Sequence, residues 1–542
     1  MQVSVEVFNF LSAGHTSSRD FHGNHSIKGR KMKADMLQYS HRGEHYGRNI
    51  KKAFQEYKDI QKAYTLALST MYYDIATIAP KKGIAKRNEA MAYLSGEAFS
   101  KATDKEALAM IEELGKITND TEEKREITLF LKGMEYDRVL PKDVYVAMQK
   151  SINDSEAAWH IAKDQDDYAS FAPYLKDVIL KQKEALTYVQ KESTDYDYLL
   201  DRYEDGMSVK QYDAFFNSIK EQLVPFIKKI NEQKEQIDDS VLHQSFDIDQ
   251  QAKYNAQLLD YLGIDREKCV MGLTEHPFTD FFSENEARIT THYYEHDVMS
   301  GIFSTMHEYG HALYSLQVKP EYDGTALKDN IGYAMHESQS RFMENHIGRH
   351  PAFWQVQYPI LQSYFPKQLS HVSFEDFMRM INITRPSFIR TEADELTYPL
   401  HILIRYELEK EIFNGSIPLD QLETMWNDKY EQYLGLRPRN HREGILQDMH
   451  WGGGNFGYFP TYALGSAYAA QFYSSMEKQL PVADYLRNNQ FDKIAAWLKD
   501  NIHYVGAYQN ANEVLKQATG DTFHAQYYID YLMNKYRTLY QL

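Results

Sequence analysis

His307, Glu308 and His311 stand in the run His-Glu-Tyr-Gly-His. Residues four apart on a helix lie about 40° apart around its axis, so both imidazoles share one face. Two imidazoles so placed can hold one zinc ion, and the glutamate between them can act as general base toward a water that the metal activates. That is hydrolytic chemistry. The competing reading is a chance match in a chain with 21 His. The flanks Gly301 to Met306 and Ala312 to Leu316 favour the metal, because they suit a helix and no Pro follows before Pro320. A catalytic zinc also needs a third protein ligand and an open position. Glu337, in the run His336-Glu337-Ser338-Gln339-Ser340-Arg341, follows His311 by 26 residues, which lets a second helix return a carboxylate to the metal.

Two further segments concentrate chemistry. Ile389 to Glu395 packs Arg390, Glu392, Asp394 and Glu395 into a helix-compatible stretch, which as a charged run reads first as a solvated face. The apolar Leu396 to His401 that follows argues against that, and the Arg390 guanidinium suits a carboxylate. A peptide C-terminus is one target, and pairing with Glu337 or Asp394 is another. Gly444 to Trp451 leads into a glycine-rich stretch, Gly452 to Gly457, followed by Tyr458, Phe459, Pro460, Thr461 and Tyr462. His450 and Tyr458 are suitable donors to an oxyanion forming on a scissile carbonyl. Core packing is the expectation for Trp451, Phe456 and Phe459. The stretch lacks the Gly-Lys-Ser/Thr ending of a phosphate loop.

The elements that must carry these residues read as mainly α. Gly and Pro are scarce, 27 and 15 in 542 residues, and Tyr reaches 42, so long helices are expected. Phe215, Ile219, Leu223, Phe226, Ile227 and Ile230 form one apolar stripe, in which Pro225 predicts a kink or a boundary. Helical patterns also fill 51–75, 105–118, 143–165 and 480–540. The best strand pattern is Arg288 to Tyr294, just before the metal motif. It reads either as an edge that adds an extended peptide as a further strand or as a structural hairpin. The net charge of −17 argues against nucleic acid as a partner. The single cysteine, Cys269, excludes an internal disulfide and suits a reducing compartment. Apolar runs are too short for a membrane span, and Val3 to Ala13 is too interrupted for a secretory core, so a cytoplasmic protein is expected. Residues 1–45 read as a non-essential extension, against a targeting arm or an upstream start, and 46–542 as one catalytic domain.

Taken in order, His307 to His311, His336 to Arg341, Ile389 to Asp394 and Gly444 to Trp451 resemble the HExxH, HESxxR, IRxxAD and GxxQDxHW segments of the carboxypeptidase Taq family of zinc metallocarboxypeptidases. Gly457 to Tyr462, Tyr196 to Glu204 and His276 to Phe278 are also similar to the family, and the resemblance covers about residues 46–542. It implies a large helical, saddle-like and neurolysin-like fold with a deep active-site groove and a small β-sheet. It also implies a homodimer that removes C-terminal amino acids from peptides with broad preference, sparing Pro. By matched position His307, His311 and Glu337 would bind Zn2+ (or Co2+), Glu308 would be the base, and Arg390, Gln447 and Arg288 would serve the substrate. One departure lies in the family's DxRxT segment, which reads here Glu286-Ala287-Arg288-Ile289-Thr290. The charge is kept and the reach grows by one methylene, which bears on substrate positioning. Two other functions stay open: an oligopeptidase cutting internal bonds with the same chemistry, and a peptide-binding protein with a structural zinc.

Overall fold

The computed structural model describes residues 43–233, 237–329 and 331–542. The expected extension therefore lies almost wholly outside the described residues. The chain divides into two compact units. In the first, residues up to Val139 with Tyr322–Leu327, four helices dominate: α1 Gly43–Thr77, α2 Ile84–Ala102, α3 Lys105–Ile117 and α4 Thr121–Val139. Ile50, Phe54 and Tyr57 of α1 recur at three- and four-residue steps and bury against Ile111, Leu114 and Ile127.

The second unit, Leu140–Glu321 with Lys328–Leu542, carries every candidate site residue. It opens with α5 Lys142–Gln165, α6 Tyr168–Leu186, α7 Asp195–Tyr203, α8 Val209–Asn231 and α9 Ile248–Tyr261. Helix α8 runs through Pro225 instead of ending there. Its expected stripe, from Phe215 to Ile230, is buried on both sides of the proline and holds the helix against its neighbours.

A three-stranded sheet follows: β1 Cys269–Leu273, β2 Thr279–Ser283 and β3 Glu286–Thr291, in the order β1-β3-β2. The strand expected at Arg288 exists, but it is central and cannot be the edge that accepts a peptide. Strand β3 pairs in parallel with β1 and antiparallel with β2, so both of its hydrogen-bonding sides are occupied. Its Ala287 and Ile289 are fully buried, while Val270 and Leu273 of β1 are exposed.

The site-bearing helices come next: α10 Val298–Gln317, α11 Tyr333–Arg341, α12 Pro351–Tyr364, α13 Tyr398–Asn414, α14 Leu422–Leu434, α15 Pro460–Gln479 and α16 Ala525–Tyr540. Asp297 caps α10 by accepting from the Ser300 N–H, and the last turn of α11 passes into a π-helical turn, Phe342–Ile347. The charged stretch at Arg390 forms a single 3-10 turn, Arg390–Glu392, where a longer helix was compatible with the sequence. Asp394 is the reason: its carboxylate accepts from the N–H groups of Arg385, Leu396 and Thr397, which holds the backbone in a cap ahead of α13.

A buried and a half-buried histidine fasten this frame while uncharged. His503 sits between Gln317 of α10 and Gln339 of α11, 2.7 and 2.8 Å from their side-chain oxygens, and as a neutral imidazole it donates to one of the two. His350 caps α12, its Nδ1 accepting from the Ala352 N–H at 3.0 Å. Burial pushes His503 down to about 3 and His350, with help from Arg487 and Lys535, to about 4. Both values lie below the ordinary histidine value, so the unfolded chain binds the extra protons first. Stability should therefore be full above about pH 6.5 and fall as the pH drops toward 4, by at most about 1.4 kcal/mol per pH unit for each histidine. Melting temperatures at pH 7, 6 and 5 test this. His350→Asn keeps a cap without the titration and should flatten the slope, and an unchanged slope would remove His350 from the account.

Candidate active site

The metal motif and the Glu337 segment meet because α10 and α11 cross almost in backbone contact. A Cβ on Gly310 would lie 2.4 Å from the Gln339 carbonyl oxygen and 2.7 Å from the Ser340 Cα. On the far side of α11, a Cβ on Gly465 of α15 would lie 2.7 Å from the Glu337 Cβ. Helix α11 is thus sandwiched between two helices at glycines. Its N-terminus is capped from far away in sequence: the buried Glu204 carboxylate accepts from the Ala334 N–H at 2.9 Å.

This packing brings three ligand atoms together. The Nε2 atoms of His307 and His311 each lie 3.7 Å from Glu337 Oε2. Tetrahedral coordination with ligand bonds of about 2.0–2.1 Å requires donors about 3.4 Å apart. Among the described residues, His307, His311 and Glu337 form a set able to hold a metal ion, with ligand atoms all within 4.8 Å. The residues fit a divalent cation.

Each ligand is held from behind. His307 Nδ1 donates to Glu344 Oε2 at 2.9 Å, which leaves Nε2 free as a ligand atom. His311 Nδ1 lies 2.8 Å from His336 Nδ1, and His336 Nε2 lies 3.3 Å from Ser315 Oγ. A proton on His311 Nδ1 and one on His336 Nε2 satisfy this chain and again free the His311 Nε2. Burial, with the neighbouring His336 and His307, pulls His311 far below the usual histidine range, so it is neutral. For His307 burial acts the same way, but Glu337, Glu344 and Glu308 outweigh it. Arg341 fixes both carboxylates, with Nε 2.8 Å from Glu337 Oε1 and Nη1 3.0 Å from Glu344 Oε2. Burial opposes ionisation of Glu344, but Arg341 and His307 prevail and bring it down to about 2.

Glu308 lies on the sheet side of α10. Thr279, at the start of β2, donates to Glu308 Oε2 at 2.6 Å. Burial raises the proton affinity of Glu308, against the pull of His307 and this hydrogen bond. A carboxylate so placed is a stronger base than an exposed one.

The glycine-rich segment lies on the other side. Tyr458 meets Tyr333, which opens α11, edge to face at 5.3 Å between ring centroids. Burial, with Tyr462, Tyr333 and Glu337 nearby, holds the Tyr458 phenol far above its usual range, so it keeps its proton. His450 Nε2 lies 3.3 Å from the Tyr462 hydroxyl, and burial with Arg390 and Arg405 pushes His450 down to about 3 despite Asp448. Both groups are neutral.

Arg390 pairs with neither Glu337 nor Asp394. Its Nε and Nη2 both reach Asp448 Oδ1, at 3.1 and 2.9 Å, while Arg405 Nε takes Asp448 Oδ2 at 2.7 Å. The Gln447 carboxamide is woven into the same knot, accepting from the Arg390 N–H and from Arg405 and donating to the Phe388 carbonyl. Arg288 lies apart on β3. It pairs with Glu286 and stacks over Phe282, so the longer Glu at the departure point reaches its own strand's arginine.

Glu344, Thr279, Asp448, Glu204 and Arg405 were not singled out from sequence. Glu344 could have been: it follows Glu337 by seven residues, which places both on one helix face. Asp448 sits inside a quoted segment. Glu204 likewise ends a quoted segment, although its contact spans 130 positions, and Thr279, whose contact spans 29, carries no local signal.

A mainly helical frame with two histidines and a glutamate around one point, and a second glutamate beside them, defines a metallopeptidase. The chain matches the family described as Carboxypeptidase Taq (M32) metallopeptidase over residues 49–536. It is 39% identical to Carboxypeptidase 1 of Bacillus subtilis, across 90% of this chain and 99% of that one. It is 35% identical to Thermostable carboxypeptidase 1 of Pyrococcus furiosus, across 90% and 98%. The crystal structure of an M32 carboxypeptidase from Deinococcus radiodurans superposes with a TM-score of 0.88 at 29% identity, covering 91% of this chain and all of that one. The chain belongs to the carboxypeptidase Taq family and is a metallocarboxypeptidase.

Gly310→Ala should force α10 and α11 apart. A loss of about 1–3 kcal/mol is expected from overpacking, together with loss of the bound ion. Melting temperature and metal content per chain check this, and an unshifted melt with full metal would refute the close-approach argument.

Proposed function

We propose that this enzyme is a zinc carboxypeptidase of broad preference in which His307, His311 and Glu337 hold the ion and Glu308 is the general base. The observation that carries the reading is the meeting of three ligand atoms beside a glutamate that Thr279 aims. When bound, the ion polarises the scissile carbonyl and acidifies the attacking water. Glu308 takes the proton from that water and returns it to the leaving amine. Tyr458 and His450, both neutral donors, stabilise the oxyanion. Arg390 receives the substrate's terminal carboxylate through the side of its guanidinium turned away from Asp448. Gln447 acts by holding Arg390, and Arg288 supports the sheet that aims Glu308.

The family match over 49–536 supports treating 46–542 as the catalytic domain behind a separate extension. We place the enzyme in the cytoplasm as a homodimer acting on peptides with free C-termini. The buried Cys269 suits a reducing compartment, and no helix among the described residues is long and apolar enough to cross a membrane. The dimer rests on family resemblance.

Glu308→Gln should retain a full complement of zinc and lose turnover, with wild-type enzyme releasing single C-terminal residues by mass spectrometry. An active variant would remove Glu308 from the base role. Arg390→Ala should raise KM for free-acid peptides about 10-fold or more and leave C-terminally amidated peptides little changed, as loss of a charge-assisted contact implies. Equal effects on both substrates would reassign Arg390 to structure alone.

A further inference from the structure

Tyr196 to Glu204, a segment with a family likeness but no role in the chemistry, forms α7 and the residue after it. Helix α7 borders the loop that carries the oxyanion donors. A Cβ on Gly457, at φ +90°, would lie 2.8 Å from the Leu199 carbonyl, so the loop backbone is pressed against α7. The Tyr203 ring meets Tyr458 edge to face at 5.2 Å.

Between loop and helix lies Glu409 of α13, fully buried. Its Oε1 accepts from Trp451 Nε1 at 2.7 Å, and its Oε2 accepts from the Gly457 N–H at 2.7 Å and from the Tyr196 hydroxyl at 2.9 Å. Trp451 and Gly457 are the two ends of the glycine-rich turn, and Tyr458 is the next residue. A buried carboxylate is costly unless it is hydrogen-bonded, and burial raises Glu409 to about 7 even against these three donors, which come from two ends of one turn and from a separate helix. Glycines alone would leave the turn free to shift, and an oxyanion donor misplaced by an ångström loses much of its effect.

We infer that Glu409 is a positioning residue: it clamps both ends of the 451–457 turn and ties it to α7 through Tyr196, fixing Tyr458 toward the metal ligands. The inference rests on the reading of Tyr458 as an oxyanion donor.

A double-mutant cycle on the zinc-loaded full chain separates this from a general structural role. Tyr458→Phe should lower kcat by about 10²–10³. Glu409→Gln keeps the shape but turns an N–H toward one of the three donors. It should lower kcat by about 10–100-fold with KM within about 3-fold and zinc content unchanged. If Glu409 acts through Tyr458, the double variant falls no more than about 3-fold below Tyr458→Phe alone. Losses that multiply, or a Glu409→Gln enzyme of wild-type turnover, overturn the inference while leaving the role of Tyr458 intact. A Tyr458→Phe enzyme of wild-type turnover overturns the oxyanion reading and the Glu409 role with it. Should Glu409→Gln not fold, Tyr196→Phe removes one donor only, and its smaller loss, about 3–10-fold, should vanish in the same way on a Tyr458→Phe background.

Discussion

Helices α10 and α11 cross with no side chain between them at Gly310, and the rest of the site depends on that contact. Two histidines on one helix can offer an ion two ligands, but the third must come from another backbone. A glutamate spans only a few ångströms, so the helices must approach more closely than ordinary ridge-into-groove packing allows. Gly310 removes the obstruction on one face of α11 and Gly465 on the other. Having no other freedom, α11 is then set along its axis by Glu204 at its start and by Arg341 at its end. The triad is a property of three helices locked in register.

That locking explains why so many charges are buried here. Arg341 bonds Glu337 and Glu344, Glu344 bonds His307, and His336 stands behind His311. Each bond fixes the rotamer of a group that must present a chosen atom, and each would be replaceable by apolar packing if stability alone were at issue. Thr279 does the same for Glu308 from the sheet. This gives β2 a function in the site, while β3, which looked like the interesting strand from its residues, provides the two-sided pairing that holds β2 in place.

What could be read from sequence follows from the range of the interactions. His307, Glu308 and His311 are set by helical geometry within five residues, and Glu337 by one return of the chain, so local rules reach them. The long helices follow from periodicity, and of the kink or boundary that Pro225 offered the boundary does not occur, because burial on both flanks outweighs one lost hydrogen bond. The order of strands was not legible: Arg288 to Tyr294 carries no mark that tells a central strand from an edge. Nor were the bonds of Arg390, whose partner Asp448 lies 58 positions away while the nearer acidic candidates are spent on backbone caps and on Arg341. Side-chain networks across helices are settled by packing, and packing is not a local property of the chain.

The uneven charge of the two halves suits the guests proposed for them. Glu337 and Glu344 are both bonded by Arg341 and Glu308 stands beside them, so carboxylates outnumber the one guanidinium. That excess of carboxylates suits a cation. Across the site, Asp448 is shared by Arg390 and Arg405, which leaves that knot with one positive charge in excess. An anion bearing a single charge balances it, and a peptide's terminal carboxylate is such an anion. Between the two halves stand Tyr458 and His450, which burial keeps uncharged, one by holding its proton and the other by refusing one. Neutral donors there leave a ground-state peptide carbonyl weakly bound and act most strongly as its oxygen gains charge. A cation in their place would compete with Arg390 for the substrate's carboxylate. On the proposed reading, the neutrality of the middle serves selectivity for chain ends as much as the charge at either side.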